Sequence, residues 1–158
     1  MKKIVWDTSA IINIKDPGIY GYSPGHSLYK DLSEGIIPGP YLNIFPSLAV
    51  FEVSATVSRK IRENQKILRE FYVMNENSIL YNLDQEFINK SYKLLNQPGF
   101  DQLKGADLVF ACIAYIENAY LVTLDKAFDK YLSTVLKIID LNDSKNEPNY
   151  LKHFGILP

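Results

Sequence analysis

Four acidic residues stand where a folded chain could gather them. Asp7 ends the strand-like run Lys3-Ile4-Val5-Trp6, Glu52 and Asp107 lie in helical stretches, and Asp125 follows Tyr120-Leu121-Val122-Thr123-Leu124. Each also has an ordinary reading. Asp7-Thr8-Ser9 and Thr123-Leu124-Asp125 resemble strand-to-helix turns in which Asp or Thr caps the next helix, and an acid in a first helical turn, as at Asp107, complements the macrodipole. Taken together they point to chemistry. Ligands of an open α/β sheet bind in the crevice beyond the carboxyl ends of the strands, and Asp7 and Asp125 follow apolar strand candidates directly. Carboxylates a few ångströms apart force some of their number to stay protonated, whereas a hard divalent cation accepts oxygen ligands and reverses that cost. The ligand type therefore points to Mg²⁺ or Mn²⁺. Neither a cysteine pair nor two histidines at helical spacing offers zinc a home, and His26 and His153 read as surface or packing residues.

Glu52 is a lone glutamate in the mostly apolar and small stretch from Phe45 to Arg59. Leu48, Phe51, Ala55 and Arg59 lie three or four residues from one another and from Glu52, so the helix face beside the carboxylate reads as largely apolar. A partly buried carboxylate needs a partner.

The elements that must position these groups follow from periodicity and punctuation. Strand candidates are residues 3–6, 42–45, 78–81, 120–123 and 135–139; helical stretches are 47 to about 73, 84–95 and 106–118, with a shorter one after Asp125. Ser47 and Asp84 are candidate caps, Pro98-Gly99 closes the second of these stretches, and Gly105 precedes the third. Alternating strands and helices predict an α/β fold, a three-layer α/β/α sandwich with a mainly parallel sheet of about five strands. The segment from Asp16 to Pro46 is rich in Pro, Gly and Tyr, with a short helix expected near 27–33. It reads either as a surface connection packing its tyrosines on the sheet or as a substrate or partner loop.

Composition sets the bounds. A chain of 158 residues, 47% hydrophobic and 22% charged, suits one globular domain with a real core. The apolar run after Met1-Lys2-Lys3 is too short for a signal peptide or a membrane span, which predicts a cytoplasmic protein with no membrane association. Cys112, among Ala111, Ile113 and Ala114, is expected to be a small buried hydrophobe. Lys plus Arg number 17 against 18 for Asp plus Glu, so any nucleic-acid surface must be a local one.

Four segments, Ile4-Val5-Trp6-Asp7-Thr8-Ser9-Ala10-Ile11-Ile12, Phe51-Glu52-Val53, Ala106-Asp107 and Leu121-Val122-Thr123-Leu124-Asp125-Lys126-Ala127-Phe128, resemble in order the four motifs of the PIN-domain ribonucleases, in particular the toxins of VapBC type. The resemblance runs from Lys3 to about Ile139. It implies Asp7, Glu52, Asp107 and Asp125 as an acidic metal and catalytic site, Thr123 as a supporting hydroxyl, and Asp129 as an outer-shell or extra acid. It also implies an RNA substrate, a small antitoxin docking near the site, and a homodimer. Ser9 could steady Asp7, meet substrate or cap its own helix, and Asn13 could point the same way. The 16–46 segment is longer than the compact family pattern. Residues 1–140 would form the nuclease domain and 141–158 an extension packed on it or on a dimer mate.

Such a site would hydrolyse a phosphodiester with a metal-activated water attacking in line. Arg59, Lys60, Arg62, Lys66 and Arg69 follow Glu52 on a helical stretch, and Lys104 and Lys126 flank two of the acids; they are candidates for phosphate contact, or else a solvated face shared with Glu63 and Glu70. The stretch Ile67-Leu68-Arg69-Glu70-Phe71-Tyr72-Val73-Met74 could serve core or partner. The alternatives are a nuclease acting on DNA or structured nucleic acid, and a non-catalytic scaffold that binds metal or a partner.

Overall fold

A computed structural model describes residues 1–15, 23–64 and 75–157. Five strands, β1 (Lys2–Trp6), β2 (Tyr41–Pro46), β3 (Ser78–Tyr81), β4 (Tyr120–Thr123) and β5 (Lys137–Asp140), form one sheet in the order β3-β2-β1-β4-β5. Every pairing is parallel. Six α-helices accompany them among the described residues: α1 (Thr8–Lys15), α2 (Pro24–Ser33), α3 (Ser47–Asn64), α4 (Gln85–Tyr92), α5 (Gly105–Ile116) and α6 (Lys126–Leu132). Right-handed crossovers put α1 to α3 on one face and α4 to α6 on the other. The packing agrees, since α1 lies against α2 and α3, α4 meets α5, and α6 meets the 3-10 turn before α5. This is the expected three-layer sandwich.

The central strands lie against α1 on one face and α5 on the other, which is why Ile4, Val5 and Trp6 of β1 and Leu121, Val122 and Thr123 of β4 are all buried with no alternation. Trp6 ties α2 to the sheet. Its ring stacks on Phe45 and meets Tyr29 edge-on, and its Nε1–H donates to Asn43 Oδ1 at 2.9 Å. Cys112 is buried, as its apolar neighbours require. No helix among the described residues is long and apolar enough to cross a membrane.

Element ends depart from the sequence reading for local reasons. β5 starts at Lys137, not 135, because the amides of Val135 and Leu136 both donate to the Leu132 carbonyl and close α6. α2 starts at Pro24, where Pro suits the first turn and Ser23 caps it. α4 stops at Tyr92 because the Leu94 amide turns back to Ser91. Of the stretch expected to be helical from 47 to 73, residues 65–73 lie outside the described residues. So do Lys66, Arg69, the 67–74 run, and Tyr20 and Tyr22 of the 16–46 segment.

Beyond β5 the chain makes two 3-10 helices, Leu141–Ser144 and Asn149–Phe154. Tyr150 in the second is buried at 1% exposure, and its hydroxyl donates to Asp31 Oδ2 of α2 at 2.7 Å. Tyr120 donates its hydroxyl to the His153 carbonyl at 3.1 Å. Tyr150→Phe removes the link to α2 without changing shape, and should lower stability by about 1 kcal/mol in urea unfolding; an unchanged midpoint would show that the tie contributes nothing.

Candidate active site

The sheet order reverses between β1 and β4: from β1 the chain steps outward to β2 and β3, then returns to lay β4 on the other side of β1. The carboxyl edge of that pair is a switch-point crevice. Trp6 is level with Val122 across the pair, so Asp7 and Thr123 come next on each side, and the Asp7 amide extends the ladder to the Val122 carbonyl at 3.2 Å.

Asp7 is 3% exposed. Its Oδ1 accepts the Ala10 amide at 2.7 Å, the cap of α1, and the Ser9 hydroxyl at 2.7 Å. Its Oδ2 accepts the Thr123 hydroxyl at 2.5 Å. Burial pushes the Asp7 carboxyl up to about 6 against the pull of the Thr123, Ala10 and Ser9 bonds, and the Asp107 charge adds to the rise. The same two hydroxyls accept in turn: Ser9 Oγ takes the Leu124 amide at 3.0 Å, and Thr123 Oγ1 takes the Asp125 amide at 2.8 Å. One carboxylate thus holds the turns after β1 and β4 together.

The other three acids come from three different helices. Glu52 is half-buried in α3, and its Oε2 accepts the Thr8 hydroxyl. Asp107 lies in the first turn of α5, which opens on Gly105 at φ 53°, a left-handed conformation that favours glycine. Burial raises the Asp107 carboxyl first, and the charges of Asp125 and Glu52 raise it further. Asp125 is exposed and caps α6 through the Ala127 amide at 2.8 Å. The mutual effects among Asp7, Asp107, Asp125 and Glu52 put all four carboxyls in one electrostatic neighbourhood.

Several expectations need correcting. Of the residues that make the face beside Glu52 largely apolar, Leu48 packs against the core, whereas Phe51, Ala55 and Arg59 are exposed and Phe51 reaches 73%. The buried residues beside Glu52 are Ala49 and Val53, and Thr8 supplies its partner. Asp129 does not join the acids: it lines a pocket with Tyr120, Lys137 and His153 at the amino-terminal ends of β4 and β5, because α6 runs back from the carboxyl edge. Asn13 turns to α2, where its Oδ1 accepts the Gly25 amide at 2.7 Å. Arg59 is exposed with its guanidinium on Thr56, Lys104 is exposed just ahead of α5, and the side chains of Lys60 and Arg62 lie outside the described ones. Thr8 and Asn142 were not singled out from the sequence. Thr8 sits beside Asp7, and its hydroxyl was the available signal.

No three acidic, histidine or cysteine side chains among the described residues converge as a preformed metal cage. The donor chemistry nonetheless fits a hard divalent cation. The facing groups are carboxylate and hydroxyl oxygens, and the raised carboxyls of Asp7 and Asp107 record desolvation and repulsion that a cation relieves.

The sequence matches the family profile of the PIN domain over residues 4–132. No curated protein matches it. Solved structures that share the fold include the following two. VapBC2 from Rickettsia felis, bound to a DNA fragment from their promoter, is 19% identical with a TM-score of 0.58, over 87% of this chain and 98% of that one. A toxin–antitoxin complex from Klebsiella pneumoniae is 14% identical with a TM-score of 0.59, over 87% and 97%.

Asp7 binds its proton more tightly in the folded chain, near 6, than at the ordinary carboxyl value of 3.8. Between these values the folded state holds more protons, so stability falls as pH rises from about 4 to about 6 and stays at the lower level above. In EDTA, Asp7→Asn should therefore gain on the parent through that window, by on the order of 2–3 kcal/mol at neutral pH. Urea midpoints of both proteins from pH 4 to 8 measure the gap; a constant gap would refute it.

Proposed function

Because this chain belongs to the PIN-domain family, whose members are nucleases that generally use a divalent metal, we propose that it is an Mg²⁺- or Mn²⁺-dependent endoribonuclease and the toxin of a toxin–antitoxin pair. The observation that carries the reading is the buried Asp7 between β1 and β4, both of its oxygens held by side chains of the two turns, with Glu52, Asp107 and Asp125 within electrostatic reach. These four carboxylates would hold the metal. When bound, it supplies a Lewis acid for a phosphoryl oxygen and a more acidic water.

The chain's own residues then divide the work. Ser9 and Thr123 keep the Asp7 oxygens in place, and Thr8 does so for Glu52. Arg59 of α3 and Lys104 at the entry to α5 offer positive charge to the RNA backbone, which positions a strand without reading its sequence. Likeness of fold to two toxin–antitoxin complexes supports an antitoxin as partner, and the proposed protein works in the cytoplasm as a homodimer. Residues 1–140 form the nuclease domain, with 141–158 as an extension on it.

Cleavage of single-stranded and folded RNAs should require Mg²⁺ or Mn²⁺ and stop in EDTA. Asp7→Asn and Asp107→Asn should each lose more than the roughly 10- to 100-fold that removal of an outer-shell partner costs. If both variants cleave like the parent, the site is wrongly assigned.

A further inference from the structure

We infer that Asn142, in the turn after β5, is a positioning residue for Asp125, an inference that rests on the reading of the four acids as the reacting centre. Asp125 is exposed and stands two residues beyond β4, so apart from its cap on the Ala127 amide its place depends on how the loop backbone is held. The peptide plane joining Leu124 to Asp125 is gripped from both sides. Its N–H, on Asp125, donates to Thr123 Oγ1 at 2.8 Å; its carbonyl, on Leu124, accepts from Asn142 Nδ2 at 2.7 Å. The preceding plane is held as well, through the Leu124 amide on Ser9 Oγ at 3.0 Å.

Asn142 is itself locked. Its Nδ2 also donates to Asp140 Oδ1 at 2.8 Å, and the same oxygen accepts the Asn142 backbone amide at 2.8 Å. Asp140 is level with Thr123 in the β4–β5 register, so this clamp stands in line with the hydroxyl that holds Asp7. Ser9 and Thr123 reach the loop from the Asp7 side, and Asn142 reaches it from the β5 side. Without the Asn142 amide, the plane before Asp125 is gripped at its N–H alone and can rotate, carrying the carboxylate off the cluster. An amide is suited to the task because it donates to two acceptors at once, which neither a carboxylate nor an apolar side chain can do.

The test compares Asn142→Leu, and Asn142→Ala as a smaller second variant, with Tyr150→Phe, which loosens the same C-terminal segment at Asp31 without touching Leu124. Two quantities are measured on each full-length protein: steady-state RNA cleavage, and binding of Mn²⁺ alone by calorimetry. The Asn142 variants should lose about 10- to 100-fold in kcat with KM for RNA unchanged, and weaken Mn²⁺ binding by a similar factor. Tyr150→Phe should change neither. Parent-like kcat and Mn²⁺ affinity in the Asn142 variants would overturn the inference, as would an equal loss in Tyr150→Phe. If the parent binds Mn²⁺ but cleaves no RNA, the ribonuclease reading falls and the Mn²⁺ comparison alone decides the role of Asn142. A parent that binds no Mn²⁺ overturns both.

Discussion

A carboxylate almost without solvent, at the junction of the two central strands, is the constraint around which this structure is arranged. Asp7 can sit there because four groups meet its needs: the Ala10 amide and Ser9 hydroxyl on one oxygen, the Thr123 hydroxyl on the other, and the β4 ladder on its own amide. An unpaired buried charge would be strongly unfavourable. The donors come from turns more than a hundred residues apart in sequence, so the β1–β4 register is part of the site. A slip of one residue would turn Thr123 to the other face and leave Asp7 Oδ2 without its partner.

The layers make that register stable. Both faces of β1 and β4 are covered, by α1 and by α5, and the near-continuous apolar runs of these strands are the consequence. Trp6, one residue before Asp7, is clamped between Phe45 and Tyr29 with its indole N–H on Asn43. On the far side, the turn after β5 returns through Asp140 and Asn142 to the loop that carries Asp125. The strand ends are therefore held from within the sheet and from its flank.

Capping and site-building are one arrangement here. Asp7 caps α1, Asp125 caps α6, and Asp107 lies in the first turn of α5. Three helix N-termini aim their partial positive charge at the carboxyl edge, which lowers the cost of gathering acids there. It does not abolish that cost, as the raised Asp7 and Asp107 carboxyls record. What remains is an excess of negative charge that suits a hard cation.

The fold was legible in the sequence, and the four acids could be picked out there as candidates. Strand runs without alternation, helix periods and Asp or Ser at helix starts are local signals, set by side-chain size and backbone hydrogen bonding within a few residues. β3 and β4 begin and end where their apolar runs do, whereas β5 starts later and α4 stops earlier than expected because amides in the adjoining turns have other acceptors. The tertiary structure alone decided which faces are buried and who meets whom. Periodicity aligns Phe51, Ala55 and Arg59 but cannot say that they face solvent. Spacing places Asp129 one turn past Asp125 but cannot say that it turns to the pocket lined by Tyr120, Lys137 and His153. Thr8 with Glu52, Thr123 with Asp7, and Asn142 with Leu124 are pairs separated by 44, 116 and 18 residues. Such contacts follow from strand order and register, which are long-range properties of the packed chain and leave no mark on the residues between.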